Sequence, residues 1–257
     1  MKNFFALTLI FSSLLVLAPS PMARTAETPE ERATRILKEV DDMWRGESSH
    51  GFISMRVKTE HYTRSVKLEG WSKGAELTLV RIESPLKEKG TATLKAGESV
   101  YSYLPKTDRT IRITSGMMMS SWMGSHFTND DLVKESRLVD DYHATISFEG
   151  ERGAVVVLEF TLTPREEAAV VWGAIKTTVR ARDNIPIVSV YYDEEMRPVR
   201  TMTFEEVKDL GGRTIPSVVR LVPEDRPGEY TELVYEEMEF DIDIPDSFFS
   251  LSRLRRQ

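Results

Sequence analysis

Between residues 51 and 240, apolar side chains recur at every second position in short runs broken by turn residues, the spacing of half-buried β-strands. Ile53, Met55 and Val57 alternate with polar neighbours, as do Val66 and Leu68, then Leu77 and Leu79. Further runs at 98–104, 110–114, 142–148, 154–163, 174–182, 187–192, 199–207, 214–222 and 229–240 bring the expectation to about a dozen strands. Connections as short as Gly211-Gly212 and Pro227-Gly228 favour an antiparallel meander, because a parallel pair needs a long crossover.

Two segments break this period. Ala33, Ile36, Leu37, Val40, Met43 and Trp44 recur at helical spacing, after Thr28, Pro29 and Glu31 in the positions of a capping box with proline in the first turn; Gly46 is the stop. A second helix is expected over 130–137, opened by Thr128, Asn129, Asp130 and Asp131. The economical architecture is mainly β (α+β): a curved antiparallel sheet forming an open half-barrel, with helices and loops covering an apolar concave face. So wide a sheet curls, and its concave face can hold a small ligand. A closed barrel or sandwich filled by its own side chains produces the same alternation. Neither repeats nor a linker appear, and 164–169 joins two strands, so 24–257 reads as one domain.

At the N-terminus, Lys2, an apolar run over 4–17 and the small and turn residues of 18–23 have the form of a secretory signal peptide, 1–23, cleaved after Ala23. The run is short for a membrane span, so the expected location is the periplasm. The chain contains no cysteine, which excludes disulfides, thiolate metal sites and a lipid-modified cysteine after the leader. A net charge of -7 argues against nucleic acid and against electrostatic adsorption to anionic membranes.

Four of the 11 methionines fall in one stretch, Met117, Met118, Met119 and Met123, with Trp122 among them and Gly116 and Gly124 at its ends. Methionine is unbranched and polarizable, so such a loop offers an adaptable apolar surface. Folding of the loop onto its own core is the competing reading. The exposed reading predicts that aspartate at Met118 and Trp122 abolishes lipid capture with little change in thermal unfolding.

Candidate chemistry is sparse. His50, His61, His126 and His143 lack the spacings of a metal site. Ser48, Ser49 and His50 sit beside glycines without a nucleophile elbow. Asn129, Asp130 and Asp131 are best explained as helix caps, and Glu236, Glu237 and Glu239 as charge on a strand. Neither catalytic residues, nor a metal, nor a cofactor is expected.

The segments 48–57 (SSHGFISMRV), 84–95 (SPLKEKGTATLK), 101–113 (YSYLPKTDRTIRI), 121–136 (SWMGSHFTNDDLVKES) and 198–223, with its GGRTIPS turn, resemble the outer-membrane lipoprotein-sorting family of LolA-like periplasmic carriers, in a divergent branch. The resemblance implies a half-barrel around an apolar cavity that takes up the acyl chains of lipidated proteins or phospholipid. It implies an inner-membrane exporter as donor, an outer-membrane acceptor, and most simply a monomer. The expected lipid-binding residues are Met117, Met118, Met119, Trp122, Met123 and Phe127, with Trp71, Tyr101, Tyr103 and Leu104 as further cavity candidates. The alternative is an accessory binding subunit of an RND-type or lipid exporter, acting as a protein-interaction scaffold.

Overall fold

The computed structural model describes residues 27–134, 138–168 and 170–256. The expected signal peptide lies outside them. Helix α1 (Pro29–Asp41) begins as its sequence dictates: the Glu31 N–H donates to Thr28 Oγ1 at 3.2 Å, and the Thr28 N–H donates to the Glu31 carboxylate at 2.8 Å.

Thirteen strands form one antiparallel sheet: β1 (Ser48–Lys58), β2 (Thr63–Lys73), β3 (Leu77–Ser84), β4 (Ala92–Ala96), β5 (Ser99–Leu104), β6 (Arg109–Ile113), β7 (Tyr142–Arg152), β8 (Val155–Pro164), β9 (Ala174–Arg180), β10 (Ile185–Tyr192), β11 (Pro198–Leu210), β12 (Arg213–Pro223) and β13 (Tyr230–Phe240). Two meanders, β1–β6 and β7–β13, are joined where β1 pairs with β13, leaving β6 and β7 as the two edges. The sheet is an open half-barrel, one of the two arrangements that the alternation allows. β4 escapes the sequence reading because Leu94 is its only bulky apolar residue.

The second expected helix is α2 (Asn129–Lys134), with a separate short α3 (Leu138–Asp141) behind it. A further helix, α4 (Leu251–Leu254), ends the chain. Helix α1 buries Ala33, Ile36, Leu37 and Val40 on Leu158, Phe160, Leu162, Ile175 and Val179, covering the β7–β9 half of the concave face. The segment from Ser115 to α2 covers the other half, where Trp122 and Phe127 pack with Met55, Leu68, Ile82, Val219 and Leu221. On the opposite face, Ile244, Phe249 and Leu254 cover Leu79, Leu94 and Tyr103.

Candidate ligand cavity

Strand register decides which side chains meet. Ser49, Ser72, Thr78, Lys95, Val100 and Ile113 are paired in sequence across β1 to β6, so they share one face. His50, Trp71, Leu79, Leu94, Tyr101 and Arg112 form the adjacent row and point to the other. The first row faces the concave side, where a cavity of about 200 Å³ lies between the sheet and its cover.

Its floor is apolar, built by Ile53, Leu68, Val80, Met202, Phe204, Val219, Leu233 and Tyr235 from both meanders. Its roof is Leu37, Val40 and Trp44 from α1 and the turn after it, with Trp122, Phe127 and Leu138 from the segment behind β6. The polar lining is mostly self-satisfied: Ser49 and Ser72 hydroxyls lie 2.7 Å apart, and Thr177 and Ser189 hydroxyls 3.0 Å apart. Small-molecule pockets commonly enclose roughly 300–1,000 Å³. At about 200 Å³ this cavity is smaller than that range, so a larger ligand would require the roof to lift.

The roof is fastened at three places. The Trp122 indole N–H donates to Thr93 Oγ1 at 3.1 Å. The backbone around it is held in an uncommon shape, Met123 having a left-handed φ of 49° while its carbonyl accepts Arg64 Nη1 at 2.6 Å. Arg64 also pairs with Glu88, whose carboxyl that hydrogen bond holds below the usual carboxylate range. Nearby, His126 lies 2.8 Å from Thr231 Oγ1 and 3.0 Å from Glu229, whose carboxyl this contact likewise lowers.

The third fastening is an ion pair. Arg200 Nη1 and Nη2 donate to Asp131 at 2.8 and 2.6 Å, joining β11 to α2. The guanidinium lies 4.2 Å from the Tyr191 ring centre and 4.4 Å from that of Trp172. Burial alone would lower the Arg200 pKa; its contacts with Asp131 outweigh burial and raise it. Asp131 also accepts the Thr128 N–H at 2.7 Å, so it caps α2 and holds Arg200 at once.

Of the expected lipid-binding residues, Trp122 and Phe127 line the cavity, both buried. Because Trp122 is 6% exposed and packs in the core, aspartate there is expected to destabilise the fold, which corrects the unchanged-unfolding expectation. Met117, Met118, Met119 and Met123 do not line the cavity; Met119 is exposed and the others are half-buried. Trp71 borders the cavity, but its indole stacks on His50, centroids 5.2 Å apart, on the other face. Tyr101 and Tyr103 belong to that face as well, and Leu104 is exposed at the end of β5. Ser49 and His50 point to opposite faces of β1, so they form no dyad.

Sequence reasoning expected helices over the concave face but did not name Leu37, Val40 and Trp44 as cavity residues, and it missed Arg200, Trp172 and Tyr191. Arg200 did carry a signal, since it shares the alternation of Met202 and Phe204 and so falls in a buried register.

Solved structures share this fold, LolA superfamily proteins among them. The structure is similar to a DUF1329 family protein from Desulfovibrio piger (TM-score 0.78, 18% identity, covering 88% of this chain and 99% of that one). It is similar to an outer membrane lipoprotein-sorting protein domain from Vibrio parahaemolyticus (TM-score 0.76, 19% identity, 88% and 100% covered). A LolA superfamily protein from Nitrosomonas europaea also matches (TM-score 0.72, 22% identity, 86% and 98% covered). No curated protein matches the chain. A family model described as "-like: Uncharacterized protein" matches residues 74–256, most of the chain. The chain belongs to that family, a divergent LolA-like one.

Proposed function

We propose that this protein is a periplasmic carrier that takes an acyl chain of a lipoprotein or lipid into the cavity beneath Trp44, Trp122 and Phe127 and moves it toward the outer membrane. The observation that supports this most is the cavity itself, apolar on floor and roof and closed by a segment held at a few discrete contacts. Burying a methylene is worth about 0.8 kcal/mol, so an acyl chain binds by its length and needs few polar anchors. No covalent step is required of such a site.

The test is capture of a fluorescent fatty acid and of a triacylated lipopeptide by the purified, delipidated protein. Saturable binding that an unlabelled lipopeptide displaces supports the carrier. No capture of either probe moves the assignment to the scaffold subunit of an envelope exporter, with the exposed Met119 loop as its contact.

A further inference from the structure

The net charge of -7 hides a basic corner. Lys106 lies in the turn after β5, Arg109 and Arg112 on the edge strand β6, and Arg255 and Arg256 just beyond α4; all are exposed. The chain's two ends of this list meet in space, because Arg255 Nε donates to Thr110 Oγ1 at 3.0 Å. Three residues of strand separate Arg109 from Arg112, roughly 10 Å, and turn them to opposite faces of β6, Arg109 beside Leu104 and Arg112 on the α4 side, so the cations flank one edge of the sheet.

None of these five forms an ion pair with a described carboxylate; Arg112 donates instead to Ser99 Oγ at 3.2 Å. Elsewhere arginines are matched, Arg197 by Asp193, Arg213 by Asp241 and Arg220 by Glu232. The corner's acids include Asp108, which accepts the Tyr103 hydroxyl at 3.1 Å, Glu98 in the turn before β5, and Glu88, whose carboxyl feels the Lys106 charge. Cations therefore outnumber carboxylates there. Among them stand two of the exposed large apolar residues, Leu104 at 38% and Leu251 at 39%.

We propose that this corner, the β6 edge with the α4 end, docks the protein on an anionic phospholipid surface. Unpaired cations around exposed leucines fit a headgroup layer, the cations meeting phosphates and the leucines entering the apolar boundary. Each cation near such a surface strengthens binding about fivefold, and the attraction reaches about 8 Å at physiological salt. The edge lies at the opposite end of the strand order from β7–β9, the strands that α1 covers. Net charge alone argues against adsorption to anionic membranes; the local charge of this corner departs from that balance.

The test is co-flotation of the full folded protein with vesicles of phosphatidylglycerol and phosphatidylcholine, and with phosphatidylcholine alone. Binding is expected to the first and not to the second, and to fall with added salt. The triple variant Arg109→Glu, Arg112→Glu and Arg255→Glu is expected to lose at least tenfold in partition; Lys208→Glu, on the far meander, is expected to change it little. Should the triple variant fold poorly, Arg109→Gln with Leu251→Ser provides the milder reading, expected to lose several-fold. Equal binding to both vesicles, binding unchanged in the variants, or no binding to either vesicle overturns the proposal. Phospholipid is also a candidate cargo, so Val219→Phe, which fills the cavity floor, is the control: corner docking predicts unchanged co-flotation in that variant, and loss of co-flotation there overturns the proposal in favour of uptake through the cavity.

Discussion

Asp131 on α2 and Arg200 on β11 clasp across the cavity's edge through two hydrogen bonds of 2.6 and 2.8 Å, with the arginine side chain 5% exposed. Removing one charge leaves the other buried and unpaired. Asp131→Ala is therefore expected to cost about 3–5 kcal/mol, whereas the paired change Asp131→Leu with Arg200→Met costs much less, since an apolar pair of similar volume replaces a buried ion pair at little penalty. Urea denaturation of the single and double variants measures the difference.

Trp122 ties the roof to β4 while filling the core beneath it. Trp122→Phe removes the indole N–H but keeps most of the volume, and is expected to cost about 1–2 kcal/mol; Trp122→Ala about 3–5 kcal/mol. Met119→Ala, at an exposed position, is expected to stay within about 0.5 kcal/mol. Melting temperatures of the three variants check this ranking.

The sheet was legible from alternation, and the first helix from its capping box, because both are local patterns that burial then enforces. The loop's role was legible in part: Trp122 and Phe127 reach the cavity, while Met117, Met118, Met119 and Met123 do not line it. Trp71, Tyr101 and Tyr103 went to the other face for a reason no local pattern contains. On β2–β5 that face is the one the C-terminal residues Ile244, Phe249 and Leu254 come to cover, a contact more than 100 residues away in sequence for most of its partners. Arg200 was visible as a cation in a buried register, but its partner Asp131 lies in a helix whose capping role fully accounted for it.

Acid is expected to loosen the roof before it unfolds the sheet. Glu88 and Glu229 are held below the usual carboxylate range by Arg64 and His126, so they bind protons less readily folded than unfolded. Their stabilisation is complete above about pH 5, beyond the unfolded carboxylate value, and is lost as pH falls through the lowered folded values. Tryptophan fluorescence followed during acid titration is expected to change at lower pH in the native protein than in Glu229→Gln, in which His126 already lacks its carboxylate partner.

Filling the cavity separates ligand capture from folding. Val219→Phe adds volume to the floor and is expected to cost about 1–3 kcal/mol in strain while reducing fatty-acid capture several-fold. Val207→Phe on the exposed part of β11 is expected to leave capture unchanged. Fluorescent fatty-acid titration of both variants, alongside their melting curves, tells the two effects apart.

The most direct measurement is native mass spectrometry, with lipid extraction, of the protein purified from a periplasm without detergent. The account predicts a population carrying acyl-chain adducts that Val219→Phe diminishes and Val207→Phe does not. A uniformly apo mass that also ignores added phospholipid and lipopeptide would contradict it.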